Sequence, residues 1–306
     1  MDTGSFLLQQ LINAIFLGSI FSLIALGYTM VYGIIELINF AHGEMFTAGS
    51  FIGIIVLAAL QKMGFVDSHF WVSMVIVFAL AMGYVAVLGV AIEQAAYKPL
   101  RSASRLAALL SALGMSIFLS NGMMLSQGVS DRAYPPVLSY EGLTLLDARI
   151  SYGQIFIILL SFALMVTLYL FVKSSRLGKA MRATAQNRTM ARMLGINIDN
   201  TIRVTFMIGP ALGAAAGVMV GLYYGSVRFD MGFIYMIKAF AAAILGGIGS
   251  IPGAMLGGMI IGGVEVAWSA FLPSEWKDVT TFIVLILVLY FKPSGLLGEH
   301  VAETRV

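Results

Sequence analysis

The chain has 306 residues, of which 59% are hydrophobic and 11% charged, with a formal net charge of +3. A water-soluble domain carries about 25% charged residues, and a compact body in water could not hide this much apolar surface. The composition excludes a soluble protein and leaves an all-α polytopic integral membrane protein; the lack of cysteine excludes disulfides, thiolate nucleophiles and thiolate metal sites.

Along the chain, Met1-Asp2-Thr3 lacks the basic start of a secretory signal, so the first apolar stretch reads as a retained span. Apolar stretches suited to a hydrocarbon core about 30 Å thick lie at 8–32, 42–60, 70–92, 106–125, 154–172 and 202–224. A pair follows at 233–245 and 251–272, and the last stretch is 279–291. This gives eight to nine transmembrane helices. The piece at 233–245 is short for a straight crossing, so a glycine-rich broken or re-entrant segment is expected near 233–253.

The polar breaks carry orientation. Lys98, Arg101 and Arg105 cluster in one break, and Lys173, Arg176, Lys179, Arg182, Arg188 and Arg192 in another with no acid before Asp199. The positive-inside rule makes both cytoplasmic. The break at 126–152 mixes Asp131, Arg132, Glu141, Asp147 and Arg149 and reads as external. With nine spans the N-terminus lies outside and the C-terminus inside. The basic charge is thus a topological signal, and nucleic acid is not an expected partner.

The whole chain, 1–306, reads as a single membrane domain with a cytoplasmic loop at 174–201 inside it. Ser175 is placed to cap a helix with Leu177, Ala180, Met181 and Thr184 on one face. A second turn offers Met190, Met193 and Leu194 as an apolar stripe beside Arg188 and Arg192, and Gly195 reads as its stop. Such short helices are marginal alone. The loop either rests on lipid headgroups or docks a cytoplasmic partner.

Gly209, Gly213, Gly217 and Gly221 recur every four residues, a spacing that puts one small face toward a neighbouring helix. Farther on, Gly246, Gly247, Gly249, Pro252 and Gly253 cannot sustain a regular helix. That stretch is either a tight turn or a broken helix at a gate or binding site. Among ionisable residues near or inside spans are Glu36, His42, Glu44, Glu93, Lys238 and Glu265. The cluster of Asn39, His42 and Glu44 is the densest, either a proton relay or a set of structural hydrogen bonds at a helix start. No metal-ligand spacing, nucleophile elbow or P-loop appears.

These residues carry a family resemblance. Gly27-Tyr28-Thr29-Met30-Val31-Tyr32-Gly33 and Ile38-Asn39-Phe40-Ala41-His42-Gly43-Glu44 resemble the opening of LivH-type permease subunits of bacterial branched-chain amino acid ABC importers. Ala96-Tyr97-Lys98-Pro99-Leu100-Arg101, Ser111-Ala112-Leu113-Gly114-Met115-Ser116-Ile117, the long run from Lys238 to Ala254, and Lys292-Pro293-Ser294-Gly295-Leu296-Leu297-Gly298 are similar to the same family. The likeness spans essentially the whole chain, and the Lys238 to Ala254 run is its most specific part.

The resemblance implies a multi-pass protein of the bacterial inner membrane that is not an enzyme and carries no cofactor of its own. ATP would be bound by two cytoplasmic ATPase partners. A LivM-type second permease and a periplasmic amino-acid-binding protein complete the implied set, with membrane lipid around it. The loop lies where this family places its coupling helix, which implies contact through Lys179, Arg182, Arg188, Arg192, Leu194 and Gly195, although the loop lacks the Glu-Ala-Ala-x-x-x-Gly signature of many importer permeases. Asn39, His42, Glu44, Gly246, Gly247, Gly249 and Pro252 are the candidates for the translocation path or its gate. Competing readings are a urea or short-amide ABC permease, a proton-coupled secondary transporter using His42 and Glu44, and an intramembrane enzyme.

Overall fold

The computed structural model describes residues 3–101, 103–138 and 141–298. Met1, Asp2 and residues 299–306, to which the expectations for the two chain ends belong, lie outside the described residues. Every apolar stretch picked out above is helical. In chain order the helices are α1 (Thr3–Ile35), α2 (His42–Lys62), the short α3 (Phe65–Ser68), α4 (Phe70–Ile92), α5 (Arg105–Gln127), α6 (Tyr152–Ser174), α7 (Arg176–Gln186), α8 (Arg188–Met193), α9 (Ile198–Tyr224), α10 (Met231–Gly246), α11 (Ile251–Phe271) and α12 (Lys277–Phe291). Two small antiparallel pairs join them: β1 (Arg132–Ala133) with β4 (Ser226–Val227), and β2 (Gly142–Leu145) with β3 (Ala148–Ser151).

Among the described residues, seven helices are long and apolar enough to cross a membrane: α1, α2, α4 with its extension to Leu100, α5, α6, α9 and α11. The protein is therefore an all-α polytopic membrane protein. α10, at 16 residues, and α12, at 15, are shorter. α1 and α9 are buried on nearly every side, whereas α5 and α6 leave most of their surface open. A helix apolar all round is either a core helix or lipid-facing, and the bundle uses both kinds.

Helix starts follow from capping chemistry. Ser104, Ser151, Ser175, Asn187, Asn197 and Ser250 each accept a hydrogen bond from the backbone N–H three residues on, which satisfies a donor the helix cannot. Ser151 and Gln154 form a reciprocal capping box. Leu146 and Asp147 take positive φ, 49° and 63°, in the two-residue turn between β2 and β3, the backbone that a tight hairpin requires.

The bundle has two distinct ends. One gathers the C-termini of α1, α4 and α6, the N-termini of α5 and α9, the α10–α11 turn and the basic helices α7 and α8; this is the basic end. The far end holds the β-strands and the opposite helix termini. α1 and α11 run antiparallel in close contact, since a Cβ on Gly18 would meet Met259, and one on Gly258 would meet Ser22. Small residues let these backbones approach.

Candidate functional site

α1 continues to Ile35 at the basic end, where Glu36 adopts a left-handed φ of 58°. The chain then climbs back into the bundle before α2 begins. His42 is fully buried and packs edge-on against Tyr28, ring centroids 5.8 Å apart. Its ring lies between Gly27 of α1 and Gly213 of α9, where either Cβ would be in tight contact with it, at 3.1 and 3.4 Å. Neither ring nitrogen makes a hydrogen bond of good geometry among the described residues; the Ile24 carbonyl is the neighbouring backbone group.

Asn39 and Glu44 flank this histidine. Asn39 Oδ1 accepts from the Tyr97 hydroxyl at 2.8 Å, and Glu44 Oε1 accepts from the Ser116 hydroxyl at 3.2 Å. Asn39 Nδ2, Glu44 Oε2 and Thr29 Oγ1 are buried without a hydrogen-bond partner among the described residues. Each such group costs about 1–3 kcal/mol relative to a satisfied one. The α1–α2–α9 seam therefore holds buried polar groups whose pairing is incomplete among the described residues.

The four-spaced glycines of α9 all face this seam. Gly209 lies against Gly27 and Val31 of α1, Gly213 against His42, Gly217 against the Phe46 carbonyl, and Gly221 against Tyr134 and Ser50. On the α1 and α2 side, Gly27, Gly43, Gly49 and Gly53 are equally tight against α9, α10 or Tyr134. The Tyr134 hydroxyl donates to the Ser50 carbonyl at 2.9 Å, and burial pushes its phenol above the ordinary tyrosine range. It therefore stays protonated and can serve as this donor at any physiological pH.

The second glycine group sits elsewhere. α10 ends at Gly246, and Gly247 and Gly249 take φ of 104° and 88° in the turn before Ile251-Pro252 open α11. A Cβ on Gly33, near the end of α1, would meet the Gly249 backbone at 3.2 Å. Gly33 is six residues from Gly27, or about 9 Å along a helix, so Gly246, Gly247, Gly249 and Pro252 lie at the basic end, apart from the seam holding Asn39 and His42. The segment after α12 straps this turn: Leu296 N–H donates to the Leu245 carbonyl at 2.8 Å, and Leu297 N–H to the Gly246 carbonyl at 2.9 Å. Those are carbonyls that a helix end leaves unpaired.

At the basic end α7 packs on α6 and α9 through buried Gly178, Met181 and Thr184, while Leu177 is exposed, one position off the expected inner face. Lys179 belongs to the same helix as Arg182, which donates to the Lys173 carbonyl at 3.2 Å. Arg188 donates to the Ile34 carbonyl at 2.8 Å, joining α8 to the C-terminus of α1, a favourable end for a cation. Arg101 bridges Glu93 and Asp199. Met190, Met193 and Leu194 turn outward, 59%, 77% and 79% exposed, beside Arg192. Gly195, at φ 81°, ends the turn and donates to the Arg192 carbonyl.

One constellation was not legible as such. Lys238 and Glu265 form a buried ion pair between α10 and α11 at 2.8 Å. Sequence shows only two opposite charges in separate apolar stretches; their pairing depends on the hairpin geometry. A larger cavity, about 710 Å³, opens at the far end among Gln9, Tyr134, Pro136, Arg149, Gln154 and Tyr223.

Comparison with known proteins gives a consistent result. A family described as "Branched-chain amino acid transport system / permease component" matches residues 10–289. The chain is 46% identical over 302 residues to the high-affinity branched-chain amino acid transport system permease protein LivH of Salmonella typhimurium, covering 97% of each chain. It is 47% identical over 300 residues to the corresponding permease protein BraD of Pseudomonas aeruginosa, again with 97% of each covered. A probable branched-chain amino acid transport permease protein LivH of Methanocaldococcus jannaschii is 28% identical over 94% of this chain and 91% of its own.

Proposed function

The chain belongs to the branched-chain amino acid transport permease family, and we propose that it is the membrane-spanning subunit of an ABC importer that brings leucine, isoleucine and valine into the cytoplasm. The observation that carries this reading is the near-complete, two-sided coverage of relatives of that function at 46–47% identity. The reading places the protein in the bacterial inner membrane as a transporter and not an enzyme. It assigns two cytoplasmic ATPases, a LivM-type second permease and a periplasmic binding protein as partners. ATP is then bound outside this chain, in line with the lack of a P-loop sequence here.

In this reading the basic end is cytoplasmic, by the positive-inside rule. Residues 174–201 form the coupling element of a single permease domain. Lys179, Arg182, Arg188, Arg192, Leu194 and Gly195 make the contact region, and the outward Met190 and Met193 supply apolar surface beside them. The Arg188 link to the α1 terminus offers a route by which movement of α8 reaches α1. The α1–α2–α9 seam around Asn39, His42 and Glu44 is the proposed moving boundary, and its unpaired polar groups are what favour it. Gly209, Gly213, Gly217 and Gly221 are its packing face. The turn at Gly246, Gly247, Gly249 and Pro252 is the proposed inner gate element. α10 and α12 complete a count of eight to nine crossings.

Growth tests this directly. A leucine auxotroph lacking its own high-affinity branched-chain permease should grow on micromolar leucine when this chain and its cognate partners are supplied. Growth restored on urea as nitrogen source and not on leucine would overturn the assignment in favour of a short-amide permease. Rescue by this chain without ATPase partners would favour the proton-coupled alternative.

A further inference from the structure

Lys238 and Glu265 lie outside the proposed moving seam and inner gate. The Lys238 ammonium lies 2.8 Å from both carboxylate oxygens of Glu265, and both side chains are almost fully buried. Asp278 Oδ1, at the start of α12, lies 2.8 Å from the same ammonium but out of hydrogen-bond alignment. Lys277 Nζ lies 3.4 Å from Glu265 Oε1. Two cations and two anions make the cluster neutral. A buried pair of this kind adds little to stability over well-packed apolar residues. Within a membrane helix, ionisable side chains mark function by default.

The cluster forms one wall of a cavity of about 430 Å³ near the far end. Leu17, Phe21, Val220, Met231 and Ile234 line other parts of it, together with Asp131 and with Arg228, which is paired with Asp230. The size falls within the usual range for small-ligand pockets. The four charges are graded in exposure: Lys238 and Glu265 are buried, whereas Asp278 and Lys277 are 49% and 40% exposed. The Asp278 Oδ1 that faces Lys238 is buried and without a hydrogen bond among the described residues while the rest of its side chain is open, so this half of the cluster can change partners while the buried half stays paired.

We propose that this cavity is a reception site for a free zwitterionic amino acid with an aliphatic side chain. Its carboxylate binds the Lys238 ammonium, its ammonium binds Asp278, and its side chain lies against Leu17, Val220 and Ile234. The contact displaced is the unaligned one between Lys238 and Asp278. A zwitterion brings one charge of each sign, so every charge in the cluster keeps a partner and the site stays neutral. An acid or an amine with the same side chain leaves one charge unmatched and is disfavoured. Urea brings neither charge. The inference rests on the branched-chain amino acid reading for its cargo.

The test is photolabelling of the assembled transporter in proteoliposomes with leucine carrying a diazirine on its side chain, followed by mass-spectrometric mapping. Labels are expected at Leu17, Val220 and Ile234, blocked by excess leucine and not by 4-methylpentanoate or 3-methylbutylamine. Lys238→Met/Glu265→Gln, which removes both buried charges together, should lower labelling there about tenfold, the cost of losing a charge-assisted hydrogen bond. Asp278→Asn, at a half-exposed position, should act in the same direction and decides the matter if the double variant does not assemble. Labels elsewhere, equal blocking by the acid and the amine, or unchanged labelling in Asp278→Asn would overturn the site. ATP-driven uptake of radiolabelled leucine is followed in parallel. Uptake without labelling here removes the site and leaves the importer reading. Labelling with the stated competition but no uptake keeps the site and removes that reading.

Discussion

Gly217→Ala is the sharpest probe of the helix seam. A Cβ at Gly217 would fall inside contact distance of the Phe46 carbonyl and 3.3 Å from the Ser50 nitrogen. Both obstacles are backbone of α2, so no side-chain rotation relieves the clash, and α2 and α9 must separate. Overpacking of this kind costs about 1–3 kcal/mol. Alanine returns up to about 1 kcal/mol through its better helix propensity, leaving a net loss of up to about 2 kcal/mol. Gly114→Ala is the control, because nothing lies within 4 Å of its Cβ position; it gains the propensity term and meets no clash. Thermal unfolding of the detergent-solubilised chain reads both variants. At a few degrees per kcal/mol, about 2–4 °C for larger domains, Gly217→Ala should melt several degrees lower than Gly114→Ala. Equal melting temperatures would show that α2 and α9 do not meet at this face.

Other perturbations separate the remaining contacts. Lys238→Met alone leaves buried Glu265 only the half-exposed Lys277, 3.4 Å away, and should destabilise the chain by up to about 3 kcal/mol, whereas Lys238→Met/Glu265→Gln should recover most of that loss; a thermal double-mutant cycle measures the difference. Arg188→Ala removes the donor to the Ile34 carbonyl and should leave ATP hydrolysis by the assembled complex while lowering leucine transported per ATP, which paired hydrolysis and uptake assays report. Tyr134→Phe deletes the hydrogen bond to the Ser50 carbonyl and should cost about 0.5–1.5 kcal/mol, the net worth of one hydrogen bond, because that carbonyl keeps its helical partner within α2; thermal unfolding checks it.

What the sequence discloses depends on how local the physics is. Spans are legible because each is its own run of apolar residues, and a helix start is legible where Ser175 precedes a helical stretch. The close-packing role of Gly217 follows from spacing alone, but its partner, Phe46, does not. The depth of His42 is hidden, because nothing in the sequence says that the chain climbs back after Ile35 before α2 begins. The direction of Met190, Met193 and Leu194 is hidden too, since a short amphipathic turn reads the same whether it faces its own bundle or a partner. Leu177 shows the limit of periodicity, as it lies one position outside the buried face set by Gly178, Met181 and Thr184. The β2–β3 hairpin was invisible because its turn residues, Leu146 and Asp147, lack the Asn-Gly type of signal. The Lys238–Glu265 pair required the α10–α11 hairpin to bring residues of separate stretches together.

The most direct test is the initial rate of radiolabelled leucine uptake into proteoliposomes that contain this chain with the proposed second permease, ATPase pair and binding protein, with an Arg188→Glu/Arg192→Glu variant beside it. Uptake that requires ATP and collapses in the variant is the predicted result. Uptake by this chain alone, driven by a pH gradient and unaffected by the variant, would contradict it and return attention to His42 and Glu44 as proton carriers.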